Sequence, residues 1–115
     1  MGVFVVEHGR GSGYDRDRDR REQQGWDEHA AFMDALVDEG FVVLGGPLGD
    51  GEKVLLVVEA LDEAEIRSRL AEDPWEPLHV LTLERITPWT LWLDGRAGGG
   101  QRGPGDSPTR TSPLS

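Results

Sequence analysis

The chain contains no cysteine, which excludes disulfides, thiolate metal sites and a cysteine nucleophile together. Long apolar runs are also missing, the longest being the five residues Val54–Val58. Val3-Phe4-Val5-Val6 has no basic flank and no cleavage pattern after it, so neither a signal peptide nor a membrane span is expected. Val6 stands where a myristoylation signal has Ser or Thr. A cytoplasmic protein with no membrane partner is the default expectation. Basic charge is scarce in the body of the chain: residues 26–94 carry 4 basic and 16 acidic side chains, while residues 1–25 carry 5 of each. Such a body repels nucleic acid and anionic lipid, so neither is an expected partner.

Several catalytic signatures are absent too. Ser12 and Ser68 are the only serines before residue 95, and neither sits in a nucleophile context. His8, His29 and His79 share no HxH or HxxxH spacing, so no metal is expected. Gly9-Arg10-Gly11-Ser12-Gly13 follows an apolar run, but Tyr14 stands at the third glycine of a dinucleotide loop and no apolar helix follows at once. No cofactor is expected.

What is present reads as one domain over residues 1–94. Residues 95–115, rich in Gly, Pro, Ser and Thr, bury too little to offset their ordering entropy and are expected to form a disordered tail. Val3–Glu7 predicts a strand and residues 9–25 a long polar loop of alternating Arg and Asp. Trp26, Ala30, Met33, Leu36 and Val37 recur at helical spacing, predicting a helix from Trp26 to Glu39 with Gly40 as its stop. Phe41–Leu44 and Val54–Glu59 predict strands joined by a turn-rich Gly45–Gly51. Asp62 with Glu65 reads as the capping box of a second helix that ends before Pro74, and Leu78–Ile86 predicts a fourth strand. Thr87–Leu93 is left as either a short fifth strand or a packed extension.

The order β-α-β-β-α-β is that of an α+β, ferredoxin-like fold: an antiparallel sheet with both helices on one face. In such a sheet the other face should be polar, and the strands should alternate. These strands are apolar on both faces, so a second copy of the same sheet is the expected cover, making a homodimer of the dimeric α/β-barrel kind.

Chain directions in that topology bring the start of the first helix, the Gly45–Gly51 turn and the Asp73-Pro74-Trp75 exit to one end of the sheet. His8, His79 and the 9–25 loop collect there as well, the loop as a possible lid. His29, on the apolar helix face, would then meet Asp73. A carboxylate accepting an imidazole N–H fixes the tautomer and leaves the other nitrogen as general base or acid near neutral pH. Gly45 and Gly46 would let backbone approach a ligand closely, with Pro47, Leu48 and His8 as further substrate-binding candidates and Trp75 or Trp26 as an apolar wall.

Asp27-Glu28-His29-Ala30-Ala31-Phe32-Met33, Asp38-Glu39-Gly40, Gly45-Gly46-Pro47-Leu48, Glu72-Asp73-Pro74-Trp75 and Ile86-Thr87-Pro88-Trp89 resemble the YciI-like (YCII-related) family in order and spacing, over roughly residues 3–92. The resemblance implies a dimeric α/β barrel related in fold to muconolactone isomerase, with a His-Asp pair as active site that falls on His29 and Asp73. It also implies chemistry of the kind carried out by a family dehydrochlorinase on a chlorinated hydroxyquinol, without metal or organic cofactor. The Arg/Asp loop and the tail depart from the family pattern, so no substrate carries over. The leading expectation is a cofactor-independent enzyme using acid–base chemistry, isomerisation or elimination, on a small cyclic or aromatic metabolite. The alternative is a non-catalytic dimeric module that binds a small ligand or a partner protein.

Overall fold

A computed structural model describes residues 1–96. Strand β1 (Gly2–Arg10), helix α1 (Trp26–Asp38), β2 (Val42–Leu48), β3 (Lys53–Ala60), α2 (Glu63–Leu70) and β4 (Leu81–Trp89) follow in chain order, with one 3₁₀ turn, Arg20–Glu22, in the first connection. The sheet is four-stranded and antiparallel, in the order β2-β3-β1-β4. This is the ferredoxin-like arrangement.

One sheet face and both helices make the core. Val6, Val42, Val54, Leu56, Val58 and Ala60 from the strands pack against Met33 and Leu36 of α1 and Ile66 and Leu70 of α2. Helix α1 presents His29, Met33 and Leu36 to this core at helical spacing. It stops where Gly40 takes φ +81°, a conformation that costs glycine little. Helix α2 is capped as its sequence suggests, the Glu65 N–H donating to Asp62 Oδ1 at 2.9 Å.

Three elements differ from the sequence expectation. Gly45–Leu48 is not turn but the continuation of β2, and the turn is confined to 49–52. Glycine and proline carry little strand propensity, but β2 is an edge strand, where the missing N–H of Pro47 has no inner ladder to break. Strand β4 begins three residues later than expected, at Leu81, and runs unbroken to Trp89, so there is no fifth strand in the described residues. The 9–25 connection, expected as a polar loop that could serve as a lid, is anchored: the N–H groups of Gly11 and Gly13 donate to the carbonyls of Val80 and His79, both at 2.8 Å. A side chain at Gly13 would place its Cβ 1.8 Å from the Leu78 carbonyl oxygen, so only glycine permits that approach. The tail expected from residue 95 lies, beyond Arg96, outside the described residues.

The other sheet face is apolar at its centre. Register places Leu44, Val57, Val5 and Thr87 in one row across the four strands, with Val3 and Trp89 paired beside them. Leu44 is 60% exposed and Trp89 48%. Glu59, Lys53, Glu7 and Arg85 sit toward the ends of the same face.

Candidate active site

At the end of the sheet where α1 begins, a cavity opens between the helices and β1–β3. His29 enters from the second turn side of α1 and is 6% exposed. Its Nδ1 lies 2.9 Å from Oδ1 and 2.8 Å from Oδ2 of Asp73, 44 residues away in sequence. An ionised carboxylate only accepts, so Nδ1 carries the proton, and in the neutral form of the imidazole Nε2 keeps its lone pair.

Asp73 is itself held in place. It stands past the end of α2, in a turn where its own N–H donates to the Leu70 carbonyl and its Oδ1 accepts from the Trp75 N–H at 2.8 Å. That local loop-back is what an Asp-Pro turn favours. Trp75, 1% exposed, stacks its indole on the His29 imidazole with centroids 3.8 Å apart and planes 10° from parallel. Its Nε1–H donates to the Gln24 carbonyl at 2.8 Å, so the indole is fixed in turn. Orientation of the imidazole is thus set twice, in its plane by Asp73 and across its face by Trp75.

His8 lies on β1 with its side chain toward the cavity, where burial pushes its pKa down to about 4. The nearby His29 lowers it further, while Asp73 and Glu84 oppose the shift. The imidazole is therefore neutral at pH 7, and its Nδ1 is buried with no hydrogen-bond partner among the described residues. A bulge in β4 opposite Glu7 and His8 pairs His8 with Leu83 instead of Glu84. The Glu84 carboxylate is turned to the other face, over Gly9, where it accepts from Lys53 Nζ at 2.6 Å.

Of the other residues singled out in the sequence, Gly46, Pro47 and Trp75 line the cavity with Trp26. Gly45 and Leu48 do not; Gly45 packs over Leu56, and Leu48 is 45% exposed. His79 is exposed, sits at φ 54° in the turn before β4 and is outside the cavity lining. His8 and His29 therefore share this cavity, while His79 lines a neighbouring depression together with His8. Arg20 was not singled out, yet it lines the cavity from the Arg/Asp loop. Nothing in the alternating charges of that loop marks Arg20 apart from Arg16 or Arg18. No group of three or more His, Asp or Glu among the described residues is placed to hold a metal ion.

One solved structure of similar fold is that of a dehydrochlorinase. The solved 5-chloro-2-hydroxyhydroquinone dehydrochlorinase of Burkholderia phenoliruptrix, in complex with 2,5-dihydroxybenzoquinone, matches with a TM-score of 0.54 and 21% identity, over 76% of this chain and 93% of that one. At that identity the likeness is one of fold. No protein-family model and no curated protein sequence matches the chain. Among the described residues, no helix is long and apolar enough to cross a membrane.

The interior of the cavity measures about 50 Å³. That is room for a few waters, well below the ~300 Å³ at which small-molecule pockets begin. A ring would need more room than this.

Proposed function

We propose that the protein is a cofactor-independent enzyme in which His29, oriented by Asp73, performs acid–base chemistry on a small hydroxylated ring. The observation that carries this reading is the bidentate contact of His29 Nδ1 with both Asp73 oxygens, inside a largely apolar cavity. Nε2 would take a proton from the substrate. The electron pair left behind would either expel a leaving group such as chloride or water, or be reprotonated elsewhere on the ring, giving elimination or isomerisation without an oxidant or reductant. Asp73 would stabilise the imidazolium so formed. His8, neutral, would offer a hydrogen bond to a substrate oxygen without competing as a cation.

The quoted motifs around His29, Gly45–Leu48 and Asp73 support placing the chain with the YciI-like proteins, and the dehydrochlorinase of similar fold supports a hydroxylated ring as substrate class. The apolar centre of the uncovered sheet face supports a homodimer built by sheet-to-sheet packing.

The test is turnover of a panel of hydroxylated and chlorinated rings, 5-chloro-2-hydroxyhydroquinone included, followed by ring absorbance and chloride release. Wild type should turn over at least one member, and His29→Gln should lose about 10²- to 10⁴-fold. Turnover undiminished in His29→Gln would end the reading. A binding-only module is the second reading, favoured by the tight cavity; saturable binding across the panel with no product would select it.

A further inference from the structure

The end of β1 and the connection to α1 carry five of the nine arginines of the described residues, Arg10, Arg16, Arg18, Arg20 and Arg21, and three of the five are paired with carboxylates. Arg10 Nη1 lies 2.6 Å from Glu52 Oε2, Arg16 Nη1 lies 3.2 Å from the same oxygen, and Arg18 Nε lies 3.4 Å from Asp15 Oδ2. Arg21 is exposed to solvent. Arg20 is different: partly buried, it lines the cavity of His8, His29 and Asp73, and no carboxylate among the described residues pairs with it. Its hydrogen bond is from Nη2–H to the Gly51 carbonyl, at 2.7 Å. Of the two carboxylates along the cavity, Asp73 is engaged by His29 and the Trp75 N–H, and Glu76 is exposed.

A guanidinium held against an apolar wall without a counter-charge is costly, and an acidic chain had many carboxylates with which to neutralise it. The cost is increased by a neighbour. An ideal Cβ on Gly51 would meet Arg20 Nη2 at 3.5 Å and Arg10 Nη2 at 3.6 Å, so two cations converge on one turn. Burial lowers the Arg20 pKa, with Arg10 adding to the shift and Tyr14 opposing it. Outside this point, a second depression shares Arg20 and Pro47 with the cavity; it is lined by Arg10, Arg16, Arg18 and Arg20 together with Asp19 and Asp50, and of its four arginines only Arg20 has no carboxylate partner among the described residues.

We propose that Arg20 is the anion-recognition residue of this cavity, and that the ligand is a compact planar ring bearing an ionised oxygen, either a carboxylate or a phenolate. The Nη2–H bond to Gly51 fixes the guanidinium plane, and its remaining N–H groups form a fork for one oxyanion. His8, uncharged beside it, hydrogen-bonds the ring without adding to the repulsion. The inference rests on this cavity being the functional site, but it does not require that the site be catalytic.

Binding is measured by calorimetry and by amide chemical shifts on the full chain, with two matched pairs of probes. Benzoate against benzamide reads carboxylate recognition; 4-nitrophenol titrated across its own ionisation, against nitrobenzene, reads phenolate recognition. In wild type at least one anion should bind ten- to a hundredfold tighter than its neutral partner. Arg20→Gln should flatten that ratio to within about threefold, and Arg20→Lys should keep part of it, retaining the charge and losing the fork. The thermal midpoint of ligand-free Arg20→Gln should match or exceed wild type; if that variant does not fold, the lysine variant alone carries the comparison. An anion preference undiminished by both substitutions overturns the proposal, as does failure of both anions to bind wild type at millimolar concentration. Arg20-dependent anion binding with no turnover of the ring panel would sink the catalytic reading and spare this one; turnover without anion preference would do the reverse.

Discussion

His29 and Asp73 hold each other under unequal constraint. Asp73 keeps a second partner, the Trp75 N–H, if His29 is removed, whereas the His29 Nδ1–H has no other acceptor among the described residues if the carboxylate is removed. Asp73→Asn should therefore reduce turnover by about a hundredfold or more and make the Nδ1-protonated tautomer less dominant, as read by nitrogen-15 shifts of the imidazole. His29→Ala should also cost stability, about 1–3 kcal/mol in chemical unfolding, because a buried ring stacked on Trp75 is lost with its hydrogen bond. His8 contributes a pH-dependent part of the stability. The unfolded chain binds its proton near 6.5 and the folded chain only near 4, so protonation in that interval favours unfolding. Stability should be complete above about pH 6.5 and fall as pH drops towards 4, by about 3 kcal/mol at the upper limit. His8→Gln should remove that part of the pH dependence; an unchanged profile would show that His8 is not the titrating group.

Among the elements, the 9–25 connection departs furthest from its composition. Its sequence is charged and polar, yet Tyr14 and Gln23 are buried, at 8% and 4% exposure. Gln23 is the internal strut: its Nε2 donates to the carbonyls of Asp15 and Arg18 at 2.8 and 3.0 Å, and its Oε1 accepts from the Asp15 N–H at 2.8 Å. Gln23→Ala should cost about 1–3 kcal/mol and raise hydrogen exchange across residues 14–25 while leaving β1 and β3 protected. Equal exchange throughout the loop would deny Gln23 that role. Element boundaries were legible where a cap residue states them, at Gly40 and Asp62. They were misread at Gly45–Leu48, because whether Gly-Gly-Pro turns or extends depends on there being a paired strand on one side only.

The uncovered sheet face is the property of the whole molecule. Leu44, Val5, Val57 and Trp89 lie far apart in the chain and become one apolar surface only when four strands pair. If a second copy covers it, sedimentation should give twice the 12.7 kDa chain mass, and Leu44→Glu should shift the protein toward monomer. Since Leu44 is 60% exposed in the single chain, the fold itself should survive that substitution. A wild-type monomer at micromolar concentration would count against the dimer.

By itself the sequence determined the order of elements, the caps, the apolar stripe that carries His29 inward and the Asp-Pro turn that presents Asp73. These are local matters, governed by periodicity and by which residues stabilise helix ends and turns. Strand direction was enough to bring those two residues to the same end of the sheet. Only the tertiary structure decided that the imidazole and carboxylate touch, that Trp75 lies flat against the ring, that His8 joins them and His79 does not, and that one arginine among several alike points inward. Each of these depends on burial and on contacts between segments distant in sequence, and a pattern of residue types along one chain carries no measure of either.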